Sequence, residues 1–124
     1  MKYKIKRRHE RYFKKRFLFW AEALSVGGWD WTFRKKNQGN GVLACVYRYI
    51  EDRFVRVYIA EYWDGVKPTK KEIDKISFHE ACEVLVGPLE DLAESRWVTA
   101  REIEMTKHAL IRRLENFVSH SHSR

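Results

Sequence analysis

The stretch "FHEACEVLVGPL", residues 78 to 89, follows the zinc-hydrolase signature His-Glu-x-x-His until its final position, where Glu83 stands in place of the second histidine. On a helix, His79 and Glu83 lie four residues apart and project from one face, with Cβ atoms about 5 to 6 Å apart, close enough to share a cation. Glu80 points about 100° away. In zinc hydrolases the two ligands hold the metal, and the adjacent glutamate acts as general base on metal-bound water. A carboxylate is an acceptable zinc ligand, so Glu83 permits a site while making the pattern less specific than two histidines would. Further along, Glu104 and His108 repeat the spacing of four. If their helix packs against the first, His79, Glu83 and His108 could form a two-histidine, one-carboxylate zinc site with ligand distances of ~2.0 to 2.2 Å. Glu104 would then be a competing ligand or a partner that orients a histidine. The plain alternatives stay open: the motif is a relic, or both pairs are ordinary helix-surface contacts.

The elements that must position these residues can be read from periodicity. Within "RRHERYFKKRFLFWAEALSVGG", Phe13, Phe17, Trp20 and Leu24 recur at helical spacing, which predicts an amphipathic helix ended by Gly27 and Gly28. The period then changes to two. Trp29, Trp31 and Phe33 alternate with polar residues, "NQGNG" (37 to 41) reads as a hairpin turn, and "VLACVYRYI" and "RFVRVYIAEYW" supply two more strands. Short connections predict an antiparallel meander. Helical spacing resumes from about Thr69 to Glu94, with Gly87-Pro88 as a kink or break, and Thr99 with Glu102 forms a capping box that opens a last helix. The fold class is therefore α+β: an N-terminal helix, a three-stranded antiparallel sheet and two C-terminal helices. One core should unite Trp29, Trp31, Phe33, Val55, Val57, Ile59, Leu85, Leu110 and Leu114. Residues 10–118 make one domain, residues 1–9 a basic arm, and residues 119–124 a disordered tail.

Charge and composition narrow the setting. Among 124 residues the formal charge is +8, and all of it lies in residues 1 to 16, where nine basic residues face Glu10 alone. Arg8, Arg11 and Lys15 fall on the outer face of the first helix, where they could attract nucleic acid or an acidic protein by counterion release. Deleting residues 1 to 8 should then abolish most polyanion binding without unfolding the domain. Two cysteines, Cys45 and Cys82, are too few for a disulfide framework and suit a reducing, cytoplasmic setting. No apolar run approaches the ~20 residues of a membrane span, so no membrane partner is expected.

The order of amphipathic helix, "GGWDWTF", hairpin, "RVYIAEYW" and "HEACEVLVGPLEDLAESR" resembles the small phage-type zinc metallopeptidases with a minimal zincin-like fold, over roughly residues 10 to 117. The resemblance implies His79 as first metal ligand, Glu80 as catalytic base, Glu83 at the second-ligand position and Glu104 or His108 as third. It also implies a peptide or protein substrate and, for a phage-encoded chain, the host cytoplasm. The His-Glu-x-x-Glu variant leaves two functions to weigh: a zinc-dependent peptidase of weak activity, and a non-catalytic basic protein that docks nucleic acid or an acidic partner through its N-terminal helix.

Overall fold

The computed structural model describes residues 1–122, with side chains to residue 119. Its elements in chain order are β1 (Lys2–Lys4), α1 (Arg7–Ala23), β2 (Asp30–Lys35), β3 (Ala44–Tyr49), β4 (Phe54–Ile59), β5 (Tyr62–Asp64), α2 (Lys70–Glu94) and α3 (Ala100–His122). The chain is α+β, as its periodicities require.

The sheet departs from the expected meander. Its strand order is β2-β4-β3, and β4 pairs in parallel with β2 and antiparallel with β3. The sheet is mixed because β4 takes the centre. Its Val55, Val57 and Ile59 are all buried, and a β-branched apolar strand gains most where both of its edges are paired. "NQGNG" is consequently no hairpin turn. The loop that contains it passes around the end of β4: the Lys36 amide donates to the Ile59 carbonyl at 2.9 Å, and the Ala60 amide to the Leu43 carbonyl at 2.9 Å. The true hairpin joins β3 to β4, where Arg53 takes a left-handed conformation with φ 56°.

A second, two-stranded ladder joins the chain's beginning to its middle. Within the segment expected as a basic arm, Lys2–Lys4 form β1, which pairs antiparallel with β5. The next residue, Ile5, is fully buried. Alternation explains both facts: Tyr3 and Ile5 point inward while Lys2 and Lys4 stay in water.

Phe13, Phe17, Ala21 and Leu24 of α1 are buried as their spacing predicts. The helix stops before the glycines, because Ser25 adopts φ 57° and the Val26 amide returns to the Ala21 carbonyl at 3.0 Å. Phe17 packs edge-on against Trp31 at 5.2 Å and Phe33 at 5.6 Å, which seats α1 on one sheet face. Asp74 ties α2 to α1 by accepting from Arg16 Nε at 2.6 Å and Trp20 Nε1 at 2.9 Å.

The Thr69 hydroxyl caps α2, accepting from the Glu72 amide at 3.2 Å. The helix runs on through Gly87 and Pro88 without ending there. Arg48 accounts for the glycine. Its guanidinium donates to both Asp91 carboxylate oxygens at 2.9 Å and to the Gly87 carbonyl at 3.1 Å, and a Cβ at position 87 would collide with the Arg48 guanidinium.

Thr99 caps α3, the Glu102 amide donating to Thr99 Oγ1 at 3.1 Å, but the Glu102 carboxylate accepts from the Thr99 hydroxyl at 3.1 Å rather than from its amide, so only half of the expected box is made. Leu110 and Phe117 turn toward the core, but Leu114 is 47 % exposed and is no core residue. Its helix is fixed in rotation by Phe117, whose ring lies 6.3 Å from both Trp20 and Phe78. Of the segment expected as a tail, residues 119–122 continue this helix, and residues 123 and 124 lie outside the described residues. Among the described residues no helix is long and apolar enough to cross a membrane.

Candidate functional site

α2 displays the His-Glu-x-x-Glu stretch with its two faces separated. His79 and Glu83 point outward and pair with one another, Nε2 to Oε1 at 3.4 Å. Glu80 turns the other way and is 6 % exposed. Burial first, and the neighbouring Glu83 carboxylate second, push the Glu80 carboxyl up to about 8. On α3, His108 and Glu104 likewise pair on their own helix, Nε2 to Oε2 at 3.3 Å, with both side chains well exposed. Each histidine therefore takes its nearest carboxylate one turn away, the ordinary geometry of a helix-surface pair. Among the described residues, no group of three or more His, Cys, Asp and Glu side chains is arranged to hold a metal ion. Cys45 and Cys82 are free, partly buried thiols, each pushed up chiefly by burial.

A different set of side chains does come together. The first two turns of α1 lie beside the inner face of the sheet and enclose a cleft of about 240 Å³, floored by Phe33, Val57 and Ile59. Arg7, Arg11, Lys14 and Arg34 surround it. Arg7, Arg11 and Lys14 reach it together because the spacing i, i+4, i+7 puts them on one helical face. Lys14 Nζ stands 5.3 Å above the Phe33 ring. The one acidic residue at the cleft, Glu10, is already matched by Lys35 at 3.3 Å. Among the described residues, Arg7, Arg11, Lys14 and Arg34 have no carboxylate within ion-pair distance.

This charge placement is unfavourable for the isolated helix. The N-terminus of α1 carries the positive end of the helix dipole, and cations there cost about 0.3 to 1 kcal/mol each. His9 reduces the cost locally. Its Nδ1 accepts the Lys6 amide at 2.9 Å, and burial, then the charges of Arg8 and Lys6, hold its imidazole below its ordinary value and so in the neutral, accepting form. The arginines themselves have no such compensation, and an anion in the cleft would supply it.

Of the residues singled out by charge, Arg11 lines the cleft, whereas Arg8 and Lys15 are exposed without lining it. Arg7, Lys14 and Arg34 escaped the sequence reading. Their signal was present as the Arg7-Arg11-Lys14 spacing, but Arg34 joins them only through the packing of α1 on β2. Comparison with protein-family models, with characterised proteins and with solved structures finds no match to this chain.

Proposed function

We propose that this chain is a non-catalytic basic binding protein that docks a polyanion, nucleic acid in the first instance, through α1 and the adjoining strand β2. The observation that carries this reading is the cleft in which Arg7, Arg11, Lys14 and Arg34 converge, its one lining carboxylate, Glu10, being matched by Lys35 and, among the described residues, none lying within ion-pair distance of those four cations. Phosphate esters are the ligands that unpaired guanidinium groups bind best, through bidentate hydrogen bonds and counterion release. The apolar floor of Phe33, Val57 and Ile59 adds a surface for a flat or apolar moiety beside the phosphate.

The zinc-peptidase reading draws less support. It asks Glu80 to face metal-bound water beside His79 and Glu83, whereas Glu80 is turned into the protein and those two are turned out. It also asks α3 to bring His108 or Glu104 to the same point, and both are engaged with one another.

Binding to heparin and to duplex DNA over a salt series tests the proposal. Four cations on phosphate give a log–log salt dependence of at most about −4. Arg7→Glu with Arg11→Glu should abolish retention on heparin at moderate salt without changing the melting temperature by more than a few degrees. An intact protein that does not bind either polyanion would overturn the reading.

A further inference from the structure

The three-stranded sheet has a second face, and its chemistry is set by alternation. Val55, Val57 and Ile59 are buried toward the helices, so Phe54, Arg56 and Tyr58 point the other way. The register places Thr32 and Tyr47 on either side of Arg56, Arg34 and Cys45 on either side of Tyr58, and Asp30 and Tyr49 on either side of Phe54. The contacts that seat the helices come from the opposite face: Phe17 of α1 meets Trp31 and Phe33, and Asp91 of α2 meets Arg48. What remains is a sheet surface with four aromatic rings and two arginines.

Those rings are arranged as a platform. Tyr49 and Phe54 stack at 4.3 Å with planes 12° apart, and Tyr47 meets Tyr58 edge-on at 5.7 Å. Arg56 lies over Tyr49 and Phe54, its Cζ at 5.7 and 5.6 Å from their centroids. Tyr47 is 46 % and Tyr49 39 % exposed. Arg56 has no carboxylate partner among the described residues, and its Nε and the hydroxyl of Thr32 beside it are buried without a hydrogen bond. Arg34 belongs both to this face and to the basic cleft, so one continuous track links the two.

We infer that this face binds single-stranded nucleic acid, with bases stacked on Tyr47 and Tyr58 and phosphates led through Arg56 and Arg34 into the α1 cleft. The inference rests on the polyanion reading above and narrows it to one class of ligand. Exposed rings interleaved with arginines on an open sheet present what unpaired bases need, a flat π-surface and nearby cations; a duplex keeps its bases stacked internally and gains nothing from the rings. The direction of the track follows from charge. Beyond β3, Tyr47 borders a groove lined by Arg48, Glu83, Glu90, Asp91 and Glu94; Arg48 is taken up by Asp91, the remaining carboxylates leave the groove net negative, and phosphate is therefore favoured on the β2 side of the sheet.

The test measures anisotropy of end-labelled oligodeoxythymidine and oligouridine with the full-length protein, alongside heparin retention. Tyr47→Ala and Tyr58→Ala should each weaken single-strand binding about tenfold, and Tyr47→Phe should retain it, because stacking needs the ring and not the hydroxyl. Heparin retention should stay unchanged in Tyr47→Ala. Binding of either oligonucleotide supports the inference, and the ratio between them tells DNA from RNA. Should Tyr58→Ala fail to fold, the more exposed Tyr47→Ala decides. The inference is overturned if Tyr47→Ala melts like its parent and binds the oligonucleotides equally well, or if duplex of equal length competes as effectively as single strand. Loss of heparin binding in the unmodified protein would instead remove the polyanion reading itself.

Discussion

Replacing the buried carboxyl of α2 gives the sharpest expectation. Glu80 is 6 % exposed, and its carboxyl is raised from an ordinary 4.5 to about 8, first by burial and second by Glu83. Between those two values the native state keeps a proton that the unfolded chain has released. Stability from this group is therefore fully present below 4.5, declines as pH rises through the window, and is lost above about 8. At about 1.4 kcal/mol per pH unit, the gap between 4.5 and about 8 corresponds to a total loss of at most ~5 kcal/mol. Glu80→Gln keeps the shape and removes the titration. Urea unfolding followed by tryptophan fluorescence should give parent and variant a nearly constant offset at the acid end. Towards pH 8 the variant should gain by several kcal/mol relative to its parent. The offset at the acid end absorbs any hydrogen bond the amide makes or lacks, so the change with pH isolates the carboxyl. A stability difference that stays flat across the window would refute the argument and mean that Glu80 is solvated in solution.

Other outcomes follow from single contacts. Gly87→Ala gains about 1 kcal/mol of helix propensity but displaces Arg48 from its bonds to Asp91. Those charge-assisted bonds are worth about 1.5 to 3 kcal/mol before discount for the partly exposed Asp91, so the net should be a loss on the order of 1 kcal/mol. In an Arg48→Ala background the same substitution should become stabilising, which a double-mutant cycle by thermal melting reads directly. Trp63→Ala should cost roughly 3 to 5 kcal/mol in urea unfolding, since the side chain is fully buried and donates Nε1 to the Leu43 carbonyl. Deleting residues 1 to 8 removes β1 and Ile5 along with the charge, so calorimetry should show a lower melting temperature as well as weaker heparin binding. Elemental analysis of untagged protein purified without chelator should find well under one zinc per chain; stoichiometric zinc that disappears in His79→Ala would restore the peptidase reading.

The helices were legible in the sequence because each states its own rules locally. Phe13, Phe17 and Leu24 mark a buried stripe, and Thr69 and Thr99 sit where caps must be. Strand β4 was equally plain from its alternation. Pairing was not, because it depends on which strand occupies the middle, and neither β2 nor β3 carries a mark that assigns it a neighbour. Short connections argued for a meander, and the apolar excess of Val55, Val57 and Ile59 outweighed them. β1 was hidden by its lysines, which look like an arm until Tyr3 and Ile5 are read as the inward half of an alternating strand. The cleft was half legible: α1 supplies its cations at regular spacing, while Arg34 comes from a strand and arrives through tertiary packing. His79, Glu80 and Glu83 show the reverse problem, a local pattern strong enough to suggest chemistry whose side chains then diverge between core and water.

The insertion of β4 between two earlier strands also constrains the order in which this chain can assemble. As the chain is synthesised from its N-terminus, β2 and β3 are both complete before either has its sheet neighbour, since among the described residues both pair only with β4. β1 waits longer still, for β5 at residues 62 to 64. Until about residue 64 has emerged, two aromatic-rich strands present unpaired edges, and α1 has no sheet to cover. The pairings then close almost together, around a segment of fewer than a dozen residues. A ribosome-bound fragment ending before residue 54 should accordingly be cleaved by protease throughout and engage chaperones. Protection of both sheets should wait until α2, whose Ile73, Ala81, Val84 and Leu85 complete the core, has emerged from the ribosome as well.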